Sequence, residues 1–521
     1  MVKSRIDWVI DNPETALMDL VDMGTKKDQK EFKRLLKKLD RRDNLDSIIP
    51  TAAKFVRLTF HDCLRESNTG VGCNGCFNFE GVNDVWYMSG ICRKSREKNK
   101  EKFCIKKEGN LRPLVQNKTD NNNLLWTGLV LEYIYKGHDF GDNNTVSESL
   151  FESGKSRADL WAFSGLVAVH KTIQNNNEKC RNAACMLQVD SSSKNCTLEL
   201  ELPTFRTGRA DCVPNCGEGY PEFCTTEAET HPDPHGNGNK TAEFFAAEFG
   251  LDVQEAVALL GAHSLGRTHS TTSMFANMPW TPQGQEDWNN FYFINGVNQT
   301  GFRFADPSIL SNNTDDDQCS LKISAFTGDE EGKPVPIKFR VKSEKQTANG
   351  GPWNWQQFST GCEASRCDEA RTANGGVYHE NSCCHWLEFC TVNRDDCPWE
   401  LENFKKSKNF VNNNINMLNV DMGFVLDFET DSNGRPTGCP GLDDERMSFS
   451  KEVDCPRNDY PSGLGKDPNG NERTFFAEFQ FYANNSQAWV KTFTRTYDMM
   501  MENGVDNSTL TLAPNDWFYE P

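Results

Sequence analysis

Apolar residues recur at helical spacing in several separate stretches of the chain, and each stretch predicts an element. Residues 47–62 read as a helix entered at Pro50, with Arg57 and His61 four apart on one face and Phe60 beside them. A loop rich in Gly, Asn and Cys follows through about Asn83. Residues 124–135 and 157–174 show the i, i+3, i+4 apolar pattern of packed core helices. Two more helices are expected over 240–262. The second opens at Asp252, with Glu255 three residues on in a capping-box arrangement, ahead of Val253, Ala256, Val257 and Leu260. His263 continues the Ala256 and Leu260 face, so it is expected to point inward. From 303 to 410 periodicity is lost while Gly, Pro, Trp and Cys accumulate, which reads as an irregular insertion. Periodicity returns near Val411 and again over 474–502 as a long amphipathic helix pair, and no internal repeat is evident.

Composition narrows the class. A chain of 521 residues allows two to four domains at about 100–200 residues each. Its net charge of -19 argues against nucleic acid or an anionic membrane surface as the main partner, since neither attracts an acidic protein at long range. No run of about 18 apolar residues could span a bilayer. The 20 cysteines are even in number and clustered, which in an oxidising compartment reads as a disulfide framework. Eight Asn-x-Ser/Thr acceptors, spread from Asn117 to Asn507, point the same way, toward secretion or cell-surface exposure. Met1 to Asp22 has scattered charges and no continuous apolar core of a signal peptide, so secretion requires a signal that this chain does not carry. The competing reading is zinc binding at Cys73-Asn-Gly-Cys76, but no second Cys or His pair follows at finger spacing. Dithiol exchange at that pair lacks a thioredoxin-like context. The seven cysteines between 303 and 410 are odd in number, so full oxidation would staple the insertion to the body by at least one bridge.

Arg-x2-Phe-His on a helix places a fixed cation and a potential general base on one face beside an aromatic ring. An imidazole can take and return a proton near neutral pH, and a guanidinium can stabilise a developing oxyanion. His263 is a candidate single ligand for a buried metal centre, whose second ring nitrogen a carboxylate would hold. Taken singly, a histidine on an apolar face is more often a hydrogen-bonded core residue.

At these residues the chain resembles the non-animal haem peroxidase superfamily of plant secretory, fungal secretory and cytochrome c peroxidases. The distal signature stands as Arg57-Leu-Thr-Phe-His-Asp-Cys63 and the proximal one as Leu259-Leu-Gly-Ala-His-Ser-Leu-Gly-Arg267. Ser156-Arg-Ala-Asp-Leu160 and Leu202-Pro-Thr-Phe-Arg-Thr-Gly-Arg-Ala-Asp211 resemble the third helix and the loop near the haem edge. Met278-Pro-Trp280, Trp288-Asn-Asn-Phe-Tyr292 and Met417-Leu-Asn-Val-Asp421 are similar to segments of the cytochrome c peroxidase-like branch.

The resemblance implies a mainly α, two-lobed fold with haem b between distal and proximal lobes, plus the disulfide-rich irregular insertion. It implies distal and early proximal structure over 1–302, the insertion at 303–410, the remaining proximal lobe at 411–502 and a C-terminal tail at 503–521. His263 becomes the axial ligand of haem iron and Asp421 the carboxylate on its other nitrogen, while Ser264 and Arg209 join the cofactor-binding set. Trp280 would pack against that pair, although it stands one residue farther from His263 than in the family. His61 would accept a proton from peroxide and return it to the leaving oxygen, Arg57 would stabilise the departing charge, and Phe60 would cover the haem. Asn122 aligns best as the residue orienting His61, with Asn121 and Asn123 as adjacent alternatives.

Departures from the pattern also carry expectations. Asp62 is kept where the secretory branches bind calcium, but Asn74 and Cys76 replace an Asp and a Ser, which reduces the oxygen ligands for a calcium site at Asp62 and Asn74. Pro50 and Lys54 stand where manganese-dependent relatives are acidic, and Thr272 where ascorbate users carry Arg. The leading expectation is a secreted haem peroxidase that uses hydrogen peroxide to oxidise small aromatic or phenolic donors. The runner-up is a peroxidase-fold extracellular matrix or binding protein with little or no catalysis, whose partner docks on residues 303–410 through Trp353, Trp355, Trp386 and Trp399.

Overall fold

The computed structural model describes residues 2–22, 49–78, 105–107, 110–112, 121, 124–140, 149–182, 198–199, 204–216, 221–232, 237–266, 280–281, 288–297, 301–304, 354–357, 387–389, 415–430, 436–440 and 453–518. The fold is mainly α, in keeping with the helical peroxidase architecture. Contacts divide the chain into two units: Met1–Gln174 with Leu200–His231 and Tyr497–Pro521, and Asn175–Glu199 with Pro232–Thr496.

In the first unit the helix expected at 47–62 runs over Ala52–Asp62. It starts after Pro50 because Thr51 is extended, and Lys54 reaches back to cap the Ile49 carbonyl at 2.7 Å. Phe55 and Leu58 are fully buried, and Thr59 Oγ1 donates to the Trp161 carbonyl of the helix Arg157–Asn182 at 2.8 Å. That long helix runs past the expected end at 174 to Asn182. Close approach of the two helices depends on Gly165, where a Cβ would lie 2.3 Å from Thr59 Oγ1 and 2.2 Å from the Tyr497 hydroxyl.

Disulfides organise the segment after the Ala52–Asp62 helix. Cys63 pairs with Cys73, Cys76 with Cys212, and Cys216 with Cys224, so the C-x2-C pair is split between two bridges and holds no metal. Phe77–Asn78 then pairs in parallel with Cys224–Thr225. The expected tail is not loose through 518: Thr511–Leu512 pairs with Arg206–Thr207, and Trp517 is buried against Phe163 and Phe205.

The second unit is built on aromatic packing. Trp288 stacks on Trp489 at 5.0 Å between ring centroids, and Tyr292, Phe293 and Phe479 close around them. The helix Val253–Leu260 has the expected capping box, Asp252 accepting from Glu255 N–H while the Glu255 carboxylate accepts from Asp252 N–H. Glycine permits one further close approach: a Cβ on Gly238, which opens the helix Gly238–Phe249, would lie 2.2 Å from the Gly423 carbonyl oxygen, so the turn after Asn419–Met422 seats directly on that helix.

A five-stranded sheet also lies in this unit, in the order 453–454, 301–304, 387–389, 354–357, 415–418. The described parts of 303–410, residues 303–304, 354–357 and 387–389, are strands of this sheet. Runs of three or four residues are too short to show alternation in sequence. The seven cysteines of that segment and its proposed docking tryptophans other than Trp355 lie outside the described residues. The sheet's last strand, Ile415–Leu418, leads straight into the short helix that carries Asp421.

Candidate active site

Two histidine clusters form, one in each unit. In the first, Arg57 and His61 share a face of the helix Ala52–Asp62, and Arg57 Nε donates toward His61 Nε2 at 3.4 Å. His61 Nδ1 lies 2.8 Å from Asn121 Oδ1. The amide of Asn121 is oriented by its neighbours: its Nδ2 donates to the Asn78 carbonyl at 3.0 Å and to both oxygens of Glu229, at 3.1 and 2.9 Å. Its carbonyl must then face His61, so Nδ1 of His61 carries the proton and Nε2 carries the lone pair. The orienting residue is thus Asn121, one of the two adjacent alternatives, whereas Asn122 lies outside the described residues.

His61 is 7% exposed. Burial, with Arg57 and His231 nearby, holds its imidazole well below the usual range, so the ring is a neutral base at neutral pH. Phe60 meets its edge at 5.8 Å. Residues 228–230 lie strand-like along 65–67, through Ser67 N–H on the Ala228 carbonyl at 2.9 Å and Thr230 N–H on the Arg65 carbonyl at 3.2 Å, and this holds Glu229 against Asn121. His231 Nε2 lies 3.2 Å from Glu229 Oε2, and its ring meets that of His61 edge-on with centroids 4.9 Å apart.

In the second unit the helix Val253–Leu260 tightens into a 3₁₀ turn, Gly261–Ser264, and His263 sits on that turn rather than on the helix. Its side chain is 28% exposed while the ring reaches the completely buried Asp421. Its Nδ1 lies 2.7 Å from Asp421 Oδ1. Asp421 is completely buried and accepts two further bonds, from the Tyr292 hydroxyl at 2.8 Å to Oδ1 and from Leu418 N–H at 2.7 Å to Oδ2. A carboxylate only accepts, so His263 keeps its proton on Nδ1 and presents Nε2. Burial and the adjacent Asp421 push the Tyr292 hydroxyl well above the usual phenol range, which keeps it a donor. Trp280 lies flat against His263, with ring centroids 4.1 Å apart and planes 6° from parallel. Ser264 is buried and donates to the Asn289 carbonyl at 2.7 Å, tying the turn to the Trp288 segment.

Other expected residues fall elsewhere. Arg209 is buried in an ion pair with Asp159 at 2.9 Å, donates to the Met501 carbonyl at 2.9 Å and covers Phe205, so its described contacts are those of a structural cation rather than a cofactor ligand. Asp62 Oδ1 accepts from Gly75 N–H at 2.8 Å and Cys76 N–H at 3.2 Å. Asn74 Oδ1 accepts from Cys76 N–H at 3.1 Å, and Asn74 Nδ2 donates to Glu66 at 2.8 Å. Backbone donors therefore occupy Asp62 Oδ1 and Asn74 Oδ1, whereas Asp62 Oδ2 is buried without a hydrogen-bond partner among the described residues. Burial raises the Asp62 carboxyl well above its usual range. Among the described residues no group of three or more His, Cys, Asp or Glu could hold a metal ion.

Sequence reasoning missed Glu229 and His231, which stand more than 160 residues from His61 with no motif around them. Tyr292 stands within one of the motifs, but the motif assigned it no role.

These clusters have one feature in common: each has an imidazole with Nδ1 committed to an oxygen, His61 with its Nε2 facing the Arg57 guanidinium and His263 held by a buried carboxylate. A model of the peroxidase family matches residues 146–318, a span that includes His263 and Trp280 but neither the helix of Arg57 and His61 nor Asp421. No curated protein sequence matches the chain significantly. The match, over less than half of the chain, supports a member of the peroxidase superfamily, a family that implies a haem cofactor and hydrogen peroxide as substrate. No helix among the described residues is long and apolar enough to cross a membrane.

Proposed function

We propose that this chain is a secreted haem b peroxidase that reduces hydrogen peroxide and oxidises small aromatic or phenolic donors in one-electron steps. The observation that carries this reading is the commitment of both histidines by their Nδ1 atoms, His263 to Asp421 at 2.7 Å and His61 to Asn121 at 2.8 Å. The donor set fits the group. His263 offers one imidazole nitrogen on a partly exposed turn, and the buried carboxylate behind it fixes the ring's orientation, as an iron ligand requires. Haem, when bound, supplies the iron at which peroxide is reduced.

The remaining chemistry belongs to the side chains. Nε2 of His61 accepts the proton of the attacking peroxide and returns it to the departing oxygen. Arg57, four residues earlier on the same face, stabilises the charge that develops on that oxygen. The low proton affinity of His61 keeps it a base across the physiological range. Asn121 and Glu229 fix its tautomer. Four disulfides among the described residues accord with an oxidising compartment.

The test is a Soret band together with peroxide-dependent dye oxidation. His61→Leu should keep the band and lose oxidation by at least about 100-fold, whereas His263→Ala should lose the band. A wild-type protein that binds haem and turns nothing over would sink the proposal.

A further inference from the structure

Eight Asn-x-Ser/Thr acceptors are written in the chain, and the peroxide chemistry uses none of them. Three lie wholly among the described residues, at Asn239, Asn484 and Asn507. An oligosaccharide is bulky and hydrated, so a folded protein tolerates one only where the asparagine amide stands in solvent. The enzyme that attaches it also reads the hydroxyl two residues on, which is why the acceptor pattern requires Ser or Thr there. Both groups must therefore be open at once.

Asn239 fails on both. It is the second residue of the helix Gly238–Phe249, its Oδ1 is buried, and the hydroxyl of Thr241, a residue only 3% exposed, donates to the Asn237 carbonyl at 2.9 Å. Asn484 meets one condition. It is exposed at the end of the helix Phe475–Asn484, but its hydroxyl partner Ser486 opens the next helix, Ser486–Met500, and is buried.

Asn507 meets both, because Asn507, Ser508 and Thr509 are all exposed. Thr509 N–H closes a tight turn on the Asp506 carbonyl at 3.0 Å, and the Ser508 N–H and hydroxyl both donate to the Asp506 carboxylate, at 2.9 and 2.7 Å. These bonds fix the turn without engaging the Asn507 side chain. The Thr509 hydroxyl shares its one proton between the Asp506 and Gly208 carbonyls, at 2.8 and 3.1 Å, which leaves its oxygen to accept. Both flanks of the turn are anchored: a Cβ on Gly504 would lie 2.5 Å from the Gly72 nitrogen, and Thr511–Leu512 pairs with Arg206–Thr207. The acceptor is thus held out on a fixed frame.

We propose that Asn507 is an N-glycosylation site of this chain, occupied in preference to Asn239 and Asn484. The inference rests on the secreted reading above, since the sugar donor is met in the secretory pathway. That donor is an oligosaccharide carried on a lipid pyrophosphate. Asn507 Nδ2 bonds to the reducing-end carbon of the sugar, the bond from that carbon to pyrophosphate oxygen breaks, the lipid pyrophosphate leaves with the electron pair, and Nδ2 gives up one proton.

In the test, the full chain is directed into the secretory pathway of a eukaryotic cell by an added signal peptide and then treated with an amidase that converts each occupied asparagine to aspartate. Peptide mass spectrometry should find aspartate at position 507 in most molecules and asparagine at positions 239 and 484. The intact mass should fall by one oligosaccharide in Asn507→Gln and in Thr509→Ala, whereas Thr509→Ser should retain it. Position 507 unconverted while another acceptor is converted would overturn this inference alone, and so would equal occupancy at Asn239 or Asn484. A chain with every acceptor unconverted would overturn the secreted reading along with it.

Discussion

Gly165 is where the first unit can be probed most sharply without touching a candidate catalytic atom. An alanine there would put its Cβ 2.2 Å from the Tyr497 hydroxyl oxygen, 2.3 Å from Thr59 Oγ1 and 2.8 Å from Thr59 Cβ. Neither hydroxyl can swing away without loss, because Thr59 Oγ1 is bonded to the Phe55 and Trp161 carbonyls at 3.1 and 2.8 Å and the Tyr497 hydroxyl to the Val56 carbonyl at 3.3 Å. Relief requires the two helices to separate by about an ångström, an overpacking cost of about 2–3 kcal/mol. For a unit of this size that corresponds to a fall of about 5–10 °C in melting temperature. Thr59 stands two residues before His61, so the displacement should also disturb the Arg57 and His61 face. The assay is urea unfolding followed by circular dichroism, read as a midpoint shift at constant m. Combining Gly165→Ala with Thr59→Ala removes one of the two clashing hydroxyls, so the double variant should be more stable than the sum of the singles by about 1 kcal/mol. Gly165→Ala within about 0.5 kcal/mol of wild type, the usual range of an inconsequential substitution, would refute the close approach.

Other expectations are more local. Burial, with Glu502 close by, raises the Asp498 carboxyl to about 7 from 3.8, so the folded state binds a proton that the unfolded chain has released and stability declines as pH rises from about 4 to about 7. Asp498→Asn should therefore melt higher than wild type above pH 7, by at most about 4 kcal/mol, and show no gain below pH 4. Tyr292→Phe removes one of three bonds to the buried Asp421 and should cost about 1–2 kcal/mol in thermal unfolding, with weaker haem retention on dilution. Because His61 is held below the usual imidazole range, chiefly by burial, the rate of reaction with peroxide should stay level as pH falls through 6.5 and drop only well below it. Stopped-flow mixing across pH 4 to 8 checks this, and a midpoint near 6.5 would contradict it.

Much of this was legible in the sequence, and the remainder was hidden for physical reasons. The capping box at Asp252 and the Arg57, Phe60 and His61 face are local patterns, and local patterns survive folding. The pairing of His263 with Asp421, 158 residues apart, came through family resemblance and is seen as a direct bond. His263 itself illustrates the limit: helical periodicity extends the helix to it, but the chain tightens into a 3₁₀ turn from Gly261, a change of pitch that no residue pattern announces. Glu229 and His231 reach His61 only because residues 228–230 align with 65–67, a pairing of two short segments without periodicity of their own. Arg209 shows a different limit, since the motif around it did not announce its buried ion pair with Asp159. The strands within 303–410 are individually too short to read.

The central claim is that His263 and His61 serve one haem-dependent reaction with peroxide. The most direct measurement is the absorbance spectrum of the purified protein before and after one equivalent of hydrogen peroxide. The expected result is a Soret band that changes within the mixing time in the wild type, persists unchanged after peroxide in His61→Leu, and is missing in His263→Ala. A wild-type Soret band that ignores peroxide, or one that survives His263→Ala intact, would contradict it.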